Sequence, residues 1–433
     1  MSDFHIIARE HETIRMAPYG PLSKNAHQAF LNQIPYLPNA SLTPTHDGIR
    51  TSSFCGLIQA GEWSLEILPK IYDSKEHAPE RGLLVKMLGD CFDMPVWHDG
   101  AVKSNLADNL LTVIIRAFLE ESQKQLTQGW IKFYISDEDR LTRPKGRLQI
   151  SEQVRKGRAG AHLIYCEFDE LTVDNNFNKI VRSALAIAKI KLPAGSRLRS
   201  QAEYLDVNLS EVSIVTNPLA LLKSLPRHRL TQRYDNLLLL SSWILRLLGP
   251  DAHSGSDDGI SLLFDMNVLF QDYVSASLER AIYRHPLRER LKLTQERPIL
   301  PLVKDNSGTG RFMLKPDLCL KLDGNIVAIL DTKWKRLCPD LDEHKAGISQ
   351  SDVYQLLGYG YTYNCSNLSL IYPNQPKLSS WALPKYTYTP HEQEVKELSI
   401  CLFDIDEPEA SANKLLESQL SINKKNGNSP YPS

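Results

Sequence analysis

The chain has 433 residues, 42% of them apolar and 23% charged, with 50 Lys and Arg against 51 Asp and Glu. That length and composition suit two or three globular domains and exclude a disordered or fibrous chain. A net charge of −1 excludes binding nucleic acid by bulk positive charge, so any DNA contact must use a local patch or a partner.

The first 15 residues, MSDFHIIAREHETIR, lack a basic start followed by an apolar run, which argues against a secretory signal. Seven cysteines are scattered without a Cys-x-x-Cys pair or a His/Cys cluster at zinc spacing, as in a reducing cytoplasm. FCGLIQAGEWSLEILPKI (54–71) predicts two short strands around Ala60-Gly61, and the N-terminal segment reads as β-rich. From about 82 to 128 the spacing of Leu106, Leu110, Val113, Ile114 and Ala117 is helical. Residues 133–158 predict a charged loop holding Pro144 and Gly146, then a helix; the loop tip is basic, with Arg140, Arg143, Lys145 and Arg147. CEFDELTVDNNFN (166–178) is acid-rich, and a helix cap with packing explains it without chemistry. Helices dominate 174–248, and the breaker-rich GPDAHSGSDDG (249–259) predicts a domain boundary near 255. No stretch carries the roughly 20 uninterrupted apolar residues that a membrane-spanning helix needs, and no GxxxxGK[ST] loop occurs, so any nucleotide hydrolysis belongs to another chain.

KPDLCLKLDGNIVAILDTKWK (315–335) is the most informative stretch. Residues 312–322 alternate with period two, predicting one strand, and the β-branched IVAILDTKW after Asp-Gly-Asn predicts its hairpin partner. A two-residue turn would send Asp317 and Asp331 to opposite faces. A three-residue turn, Asp323-Gly324-Asn325, or an equivalent bulge, sets them opposite each other, and this register is the one expected. Two facing carboxylates resist joint ionisation unless a cation lies between them, and Mg²⁺ suits oxygen ligands beside phosphate. Lys333 shares their face and would orient or deprotonate a water, or stabilise charge on an attacked phosphate. The helix predicted over SDVYQLLGYGYTY (351–363) puts Gln355 and Tyr359 on one side, with Ser349 and Asp352 as its cap.

Pro316-Asp317 followed by Asp331-Thr332-Lys333 resembles the PD-(D/E)xK nuclease superfamily, and the Gln-x-x-x-Tyr helix is similar to one that several of its members carry. LEILPKI (65–71), RPKGRLQISEQVRKG (143–157), CEFDELTVDNNFNKIV (166–181) and FDMNVLFQDYV (264–274) extend the likeness over about 55–375, to the McrC family of modification-dependent restriction systems. The resemblance implies a Mg²⁺-dependent endonuclease that cuts double-stranded, 5-methylcytosine-type modified DNA. It also implies a separate McrB-type AAA+ GTPase ring that the chain docks on and stimulates. Asp317, Asp331 and Lys333 would be catalytic, Gln355 and Tyr359 supporting, and the Thr332 carbonyl a further metal oxygen; Gln271 with Asp272 stands where many members carry another acid. The basic loop would reach into the ring.

The expected fold class is α+β. Residues 1–130 form an N-terminal β-rich docking module, 131–258 the basic loop and helical middle, 259–408 a PD-(D/E)xK-type mixed sheet flanked by helices, and 409–433 a flexible tail. Two other functions remain open on the residues alone, a non-cleaving activator of the GTPase and a stand-alone repair nuclease.

Overall fold

The computed structural model describes residues 4–38, 40–71, 76–94, 109–156, 163–226, 229–249, 261–338, 347–375, 378, 383–388 and 396–425. The expected linker and boundary near 255 lie outside the described residues. In chain order the N-terminal elements are β1 (His5–Arg9), β2 (Thr13–Arg15), α1 (Lys24–Gln33), β3 (Leu42–Thr45), β4 (Gly48–Thr51), β5 (Phe54–Ala60), β6 (Trp63–Leu68) and α2 (Ala78–Cys91). The middle holds α3 (Leu110–Thr127), β7 (Phe133–Leu141), β8 (Arg147–Leu148), α4 (Ile150–Lys156), β9 (Ile164–Thr172), α5 (Asn176–Lys191), α6 (Arg197–Asn208), α7 (Pro218–Lys223) and α8 (Asp235–Leu248). The C-terminal elements are β10 (Ser261–Asp265), α9 (Met266–Arg284), β11 (Leu291–Gln295), β12 (Leu300–Lys304), β13 (Gly310–Leu314), β14 (Leu318–Leu322), β15 (Asn325–Thr332), α10 (Gln350–Thr362), β16 (Asn367–Pro373), β17 (Lys385–Tyr388), β18 (Lys396–Phe403) and α11 (Pro408–Lys425). The architecture is mixed α+β, with no helix among the described residues long and apolar enough to cross a membrane.

The chain divides into two compact units, one of Met1–Leu57, Glu62–Ala107 and Leu263–Ser433, the other of Ile58–Gly61 and Asp108–Leu262. This grouping differs from the division in chain order at 130 and 258. The N-terminal segment joins the C-terminal one because apolar and charged contacts bind them. Phe92 beyond α2 packs against Phe264 of β10 with ring centroids 6.5 Å apart, Arg280 pairs with Asp90 of α2 at 3.4 Å, and Lys86 of α2 donates to the Asp406 carbonyl.

The first unit contains a six-stranded mixed sheet in the order β11-β14-β15-β16-β18-β17. β15, β16 and β18 run parallel, whereas β11, β14 and β17 add antiparallel. β16 is buried at all seven positions, the pattern of a central parallel strand covered on both faces. α10 covers one face through Leu356 and Tyr359, and Gly360 allows it to come close, since a Cβ there would meet Leu368 Cδ1 at 2.7 Å. The run 312–322 is not one strand as its alternation predicted. β13 pairs with β12 in a separate ribbon and ends at Leu314, and Lys315, Pro316 and Asp317 lie between it and β14.

In the second unit, helices make up most of the body, as the apolar spacing predicted. Residues 133–141, read as loop, instead form β7, which pairs along its whole length with β9 while β8 pairs on the other side. Two-sided exposure explains the misreading, because a solvated ribbon carries no apolar alternation. The acid-rich 166–178 stretch is the cap and packing element expected: Asn175 caps α5, and the buried Asn178 donates to the carbonyls of Ile131 and Val173.

The expected flexible tail is corrected over 409–425, which belongs to α11. Ala412, Leu415, Leu416 and Leu420 fall on one helical face and are buried, and the periodicity continues through Gln419, also buried. Leu416 is 1% exposed. Leu416→Ala is expected to destabilise the chain by about 2–5 kcal/mol in denaturant melts, the usual cost of a buried leucine; a free tail would show no change.

Candidate active site

The β14–β15 hairpin arranges the site. Its turn has two residues, not three: Leu322 pairs with Asn325, and Asp323 and Gly324 both take positive φ, 50° and 85°. Two successive positive φ values define the turn whose twist suits a hairpin, and Gly324 meets no neighbour there. The register then shifts between Leu320 and Lys321, leaving Val327 as the extra residue, so that Leu318 faces Leu330. Continuing by one pair sets Asp317 opposite Asp331, as the chemistry required, through a bulge instead of a longer turn.

Asp331 is completely buried. Its Oδ2 lies 2.6 Å from Lys333 Nζ, and its Oδ1 finds no hydrogen-bond partner. Asp317 is fixed by the opposite strand, its Oδ2 accepting from the Thr332 backbone N–H at 2.8 Å and from the Thr332 hydroxyl at 2.9 Å. Burial, then the charge of Asp317, pushes the Asp331 carboxyl up to about 7, and burial raises that of Asp317 as well. Lys333 is half removed from water, which lowers its pKa, yet the charge of Asp331 outweighs this and raises it, so the ammonium is retained at neutral pH.

α10 completes the cluster. Lys333 Nζ donates to Gln355 Oε1 at 3.1 Å, Gln355 Nε2 donates to the Tyr359 hydroxyl at 2.8 Å, and that hydroxyl donates to the Lys315 carbonyl at 3.1 Å. This relay runs one way and ties the lysine to the backbone just before Pro316-Asp317. Thus Asp317, Asp331, Thr332, Lys333, Gln355 and Tyr359 converge. Ser349 occupies the N-cap position, but its side chain makes no cap bond and turns to Ser351, while Asp352 pairs with Lys335 at 2.8 Å; the expected Ser349–Asp352 cap is therefore not made.

Arg140, Arg143, Lys145 and Arg147 belong to the second unit, around the β7–β8 connection. Arg140 lies over Tyr165, and Lys145 lies 3.9 Å over the Phe168 ring and pairs loosely with Glu170. Gly146 permits this packing, since at φ 68° a Cβ would fall 2.3 Å from the Glu167 carbonyl oxygen. Gln271 is buried on α9, whereas Asp272 accepts from Gln295.

One contributor had no signal in the sequence. Glu10, 3% exposed, accepts from the Trp334 indole at 2.9 and 3.1 Å and from the Lys70 backbone N–H at 2.8 Å, bracing the residue that follows Lys333. A contact across 324 residues leaves no local pattern.

The donor set suits a hard divalent cation. Two opposed carboxylates, one with a buried unpartnered oxygen, are what a magnesium ion uses when substrate oxygens and waters fill its other positions. Among the described residues no group of three or more His, Cys, Asp or Glu gathers as a metal site, so the protein offers two carboxylates here and no third.

A family model described as "McrBC 5-methylcytosine restriction system component" matches residues 49–373. The chain belongs to this family. A chain from a refined half-complex of the tetradecameric assembly of Thermococcus gammatolerans McrB AAA+ hexamers with bound McrC is similar in fold. It shows a TM-score of 0.72 and 16% identity, covering 96% of this chain and 99% of its own. A second, from the Thermococcus gammatolerans McrBC complex, gives a TM-score of 0.51 and 17% identity, covering 66% of this chain and 90% of its own. No curated protein matches. The family indicated by the upstream stretches and the Asp-Thr-Lys motif is thus the one found.

The Asp331 shift carries a stability consequence. Its carboxyl titrates near 3.8 when unfolded and at about 7 in the fold, so the folded state holds a proton that the unfolded state has released. Without divalent cations, stability is expected to fall as pH rises from about 4 to 7. Asp331→Asn should flatten that slope and raise stability at pH 8 by roughly 2–4 kcal/mol. Thermal melts across this range check the sign.

Proposed function

We propose that the chain is the DNA-cutting subunit of an McrBC-type restriction system, a magnesium-dependent endonuclease of the PD-(D/E)xK kind. The observation that carries this reading is the convergence of Asp317, Asp331 and Lys333 on a bulged hairpin. Asp317 and Asp331 would hold the metal, with the Thr332 carbonyl as a further oxygen. When bound, a magnesium ion supplies positive charge at the scissile phosphate and favours ionisation of water.

The chain's own residues do the rest. Thr332 holds Asp317 through two donors, so that carboxylate arrives oriented. Lys333 keeps its proton and therefore serves as a cation that stabilises charge on the attacked phosphate, in preference to the base role. Gln355 and Tyr359 limit where the lysine can swing.

Cleavage would depend on a McrB-type AAA+ GTPase. The similar Thermococcus gammatolerans chains come from complexes of McrB with McrC, and this chain carries no phosphate-binding loop of its own. We place the substrate as modified double-stranded DNA and the cell compartment as the cytoplasm. The basic residues 140–147 are proposed to meet the ring.

Asp331→Ala and Lys333→Ala, each assayed on modified plasmid with the cognate GTPase, GTP and Mg²⁺, are expected to lose cutting by at least about 100-fold. They should still stimulate GTP hydrolysis. Cutting retained by both variants would remove the nuclease reading and leave the activator role.

A further inference from the structure

The 65–71 stretch, one of those that carried the family likeness, enters the site described so far only through the Lys70 backbone N–H. It ends beside the strand that carries Lys333. Lys70 donates its backbone N–H to Glu10, and Glu10 accepts the indole of Trp334, so the three form one wall. Outside that wall lies a cavity of about 510 Å³, lined by His11, Lys70, Trp334, Lys335 and Arg336 among others.

Among the described lining residues, Lys70, Lys335 and Arg336 are cationic and Glu10 is the carboxylate. Both oxygens of Glu10 are already engaged by Trp334, so it acts as structure and is not offered to a ligand. Lys335 is shared with Asp352, and Arg336 reaches toward Gln375. Arg50 and Lys70 add positive charge beside His11, whose Nε2 lies 4.0 Å from Glu10: burial first, then these two cations, hold its imidazole below the usual pKa. Lys335 and Arg336 follow Lys333 by two and three residues, a span of at most about 7–10 Å along an extended chain. A strand lying in the active site would therefore bring a neighbouring phosphate within their reach.

We propose that this cavity binds a backbone phosphate of the DNA strand flanking the one that is cut, with Lys70 and Arg336 as its donors. The proposal rests on the nuclease reading for the identity of the strand. Lys70 approaches from the N-terminal segment and Arg336 from the strand end, so the N-terminal sheet takes part in holding substrate. Glu10 keeps the two sides of the cavity in register.

The test is duplex binding by the full chain without divalent cations, so that nothing is cut, followed by fluorescence anisotropy between 50 and 200 mM NaCl. Lys70→Gln and Arg336→Gln are each expected to weaken binding several-fold. Each should also reduce the slope of log K against log salt by about 0.9, one phosphate contact. Lys70→Arg should keep the slope. If Lys70→Gln fails to fold, as judged by circular dichroism, Arg336→Gln carries the measurement. Unchanged slopes in the folded variants, or no duplex binding by the unsubstituted chain, would overturn the proposal. Thermal stabilisation by inorganic phosphate with duplex affinity unaltered would overturn it in favour of a small anion. A slope change in a chain that leaves plasmid intact with Mg²⁺ and the GTPase keeps the cavity and rejects only the nuclease reading.

Discussion

Asp331 is a fully buried carboxyl group facing a second one across the β14–β15 hairpin. Burying such a group costs free energy unless something positive repays it. Lys333 answers for one oxygen, and the other stays without a partner. The surrounding structure is arranged to hold this arrangement in place. The bulge brings the acids together, Thr332 orients one of them, and the α10 relay restrains the lysine. Apolar side chains of similar volume would hold the fold at lower cost, and the proposed magnesium ion is what would offset the burial of these acids.

Rigidity at the cluster comes from distant parts of the chain. The β16 and β18 strands extend the sheet in parallel beside β15, α10 restrains the lysine, and Glu10 braces Trp334 from the N-terminal segment. Met1–Leu57, Glu62–Ala107 and Leu263–Ser433 accordingly form one compact unit. The intervening residues, with their ribbon and helices, make the other, which is where the basic 140–147 tip lies. That organisation is what the proposed division between cutting and partner engagement would use.

Much of the site was legible because strands report their faces through a period of two. Asp317, Asp331 and Lys333 could be placed on one face before any coordinates, provided the hairpin register was right. The register was reached by a different route, since a positive-φ Asp323-Gly324 turn and a bulge at Val327 together do what a three-residue turn would do. Bulges leave no signature in a β-branched run. Helical spacing showed Gln355 and Tyr359 on one side of α10. Other features were hidden for physical reasons: β7 carries no apolar alternation because both of its faces meet solvent, and Glu10 acts across a sequence distance that no local pattern spans. The α11 helix was missed from a polar average that conceals the Ala412, Leu415, Leu416 and Leu420 stripe.

The most direct measurement is a crystal structure of the full chain soaked in Mn²⁺, read by anomalous scattering. The account predicts a peak between residues 317 and 331, within about 2.0–2.3 Å of a carboxylate oxygen from each, with octahedral geometry completed by other oxygens. Carboxylates turned away from each other, or no anomalous peak at saturating Mn²⁺, would contradict it.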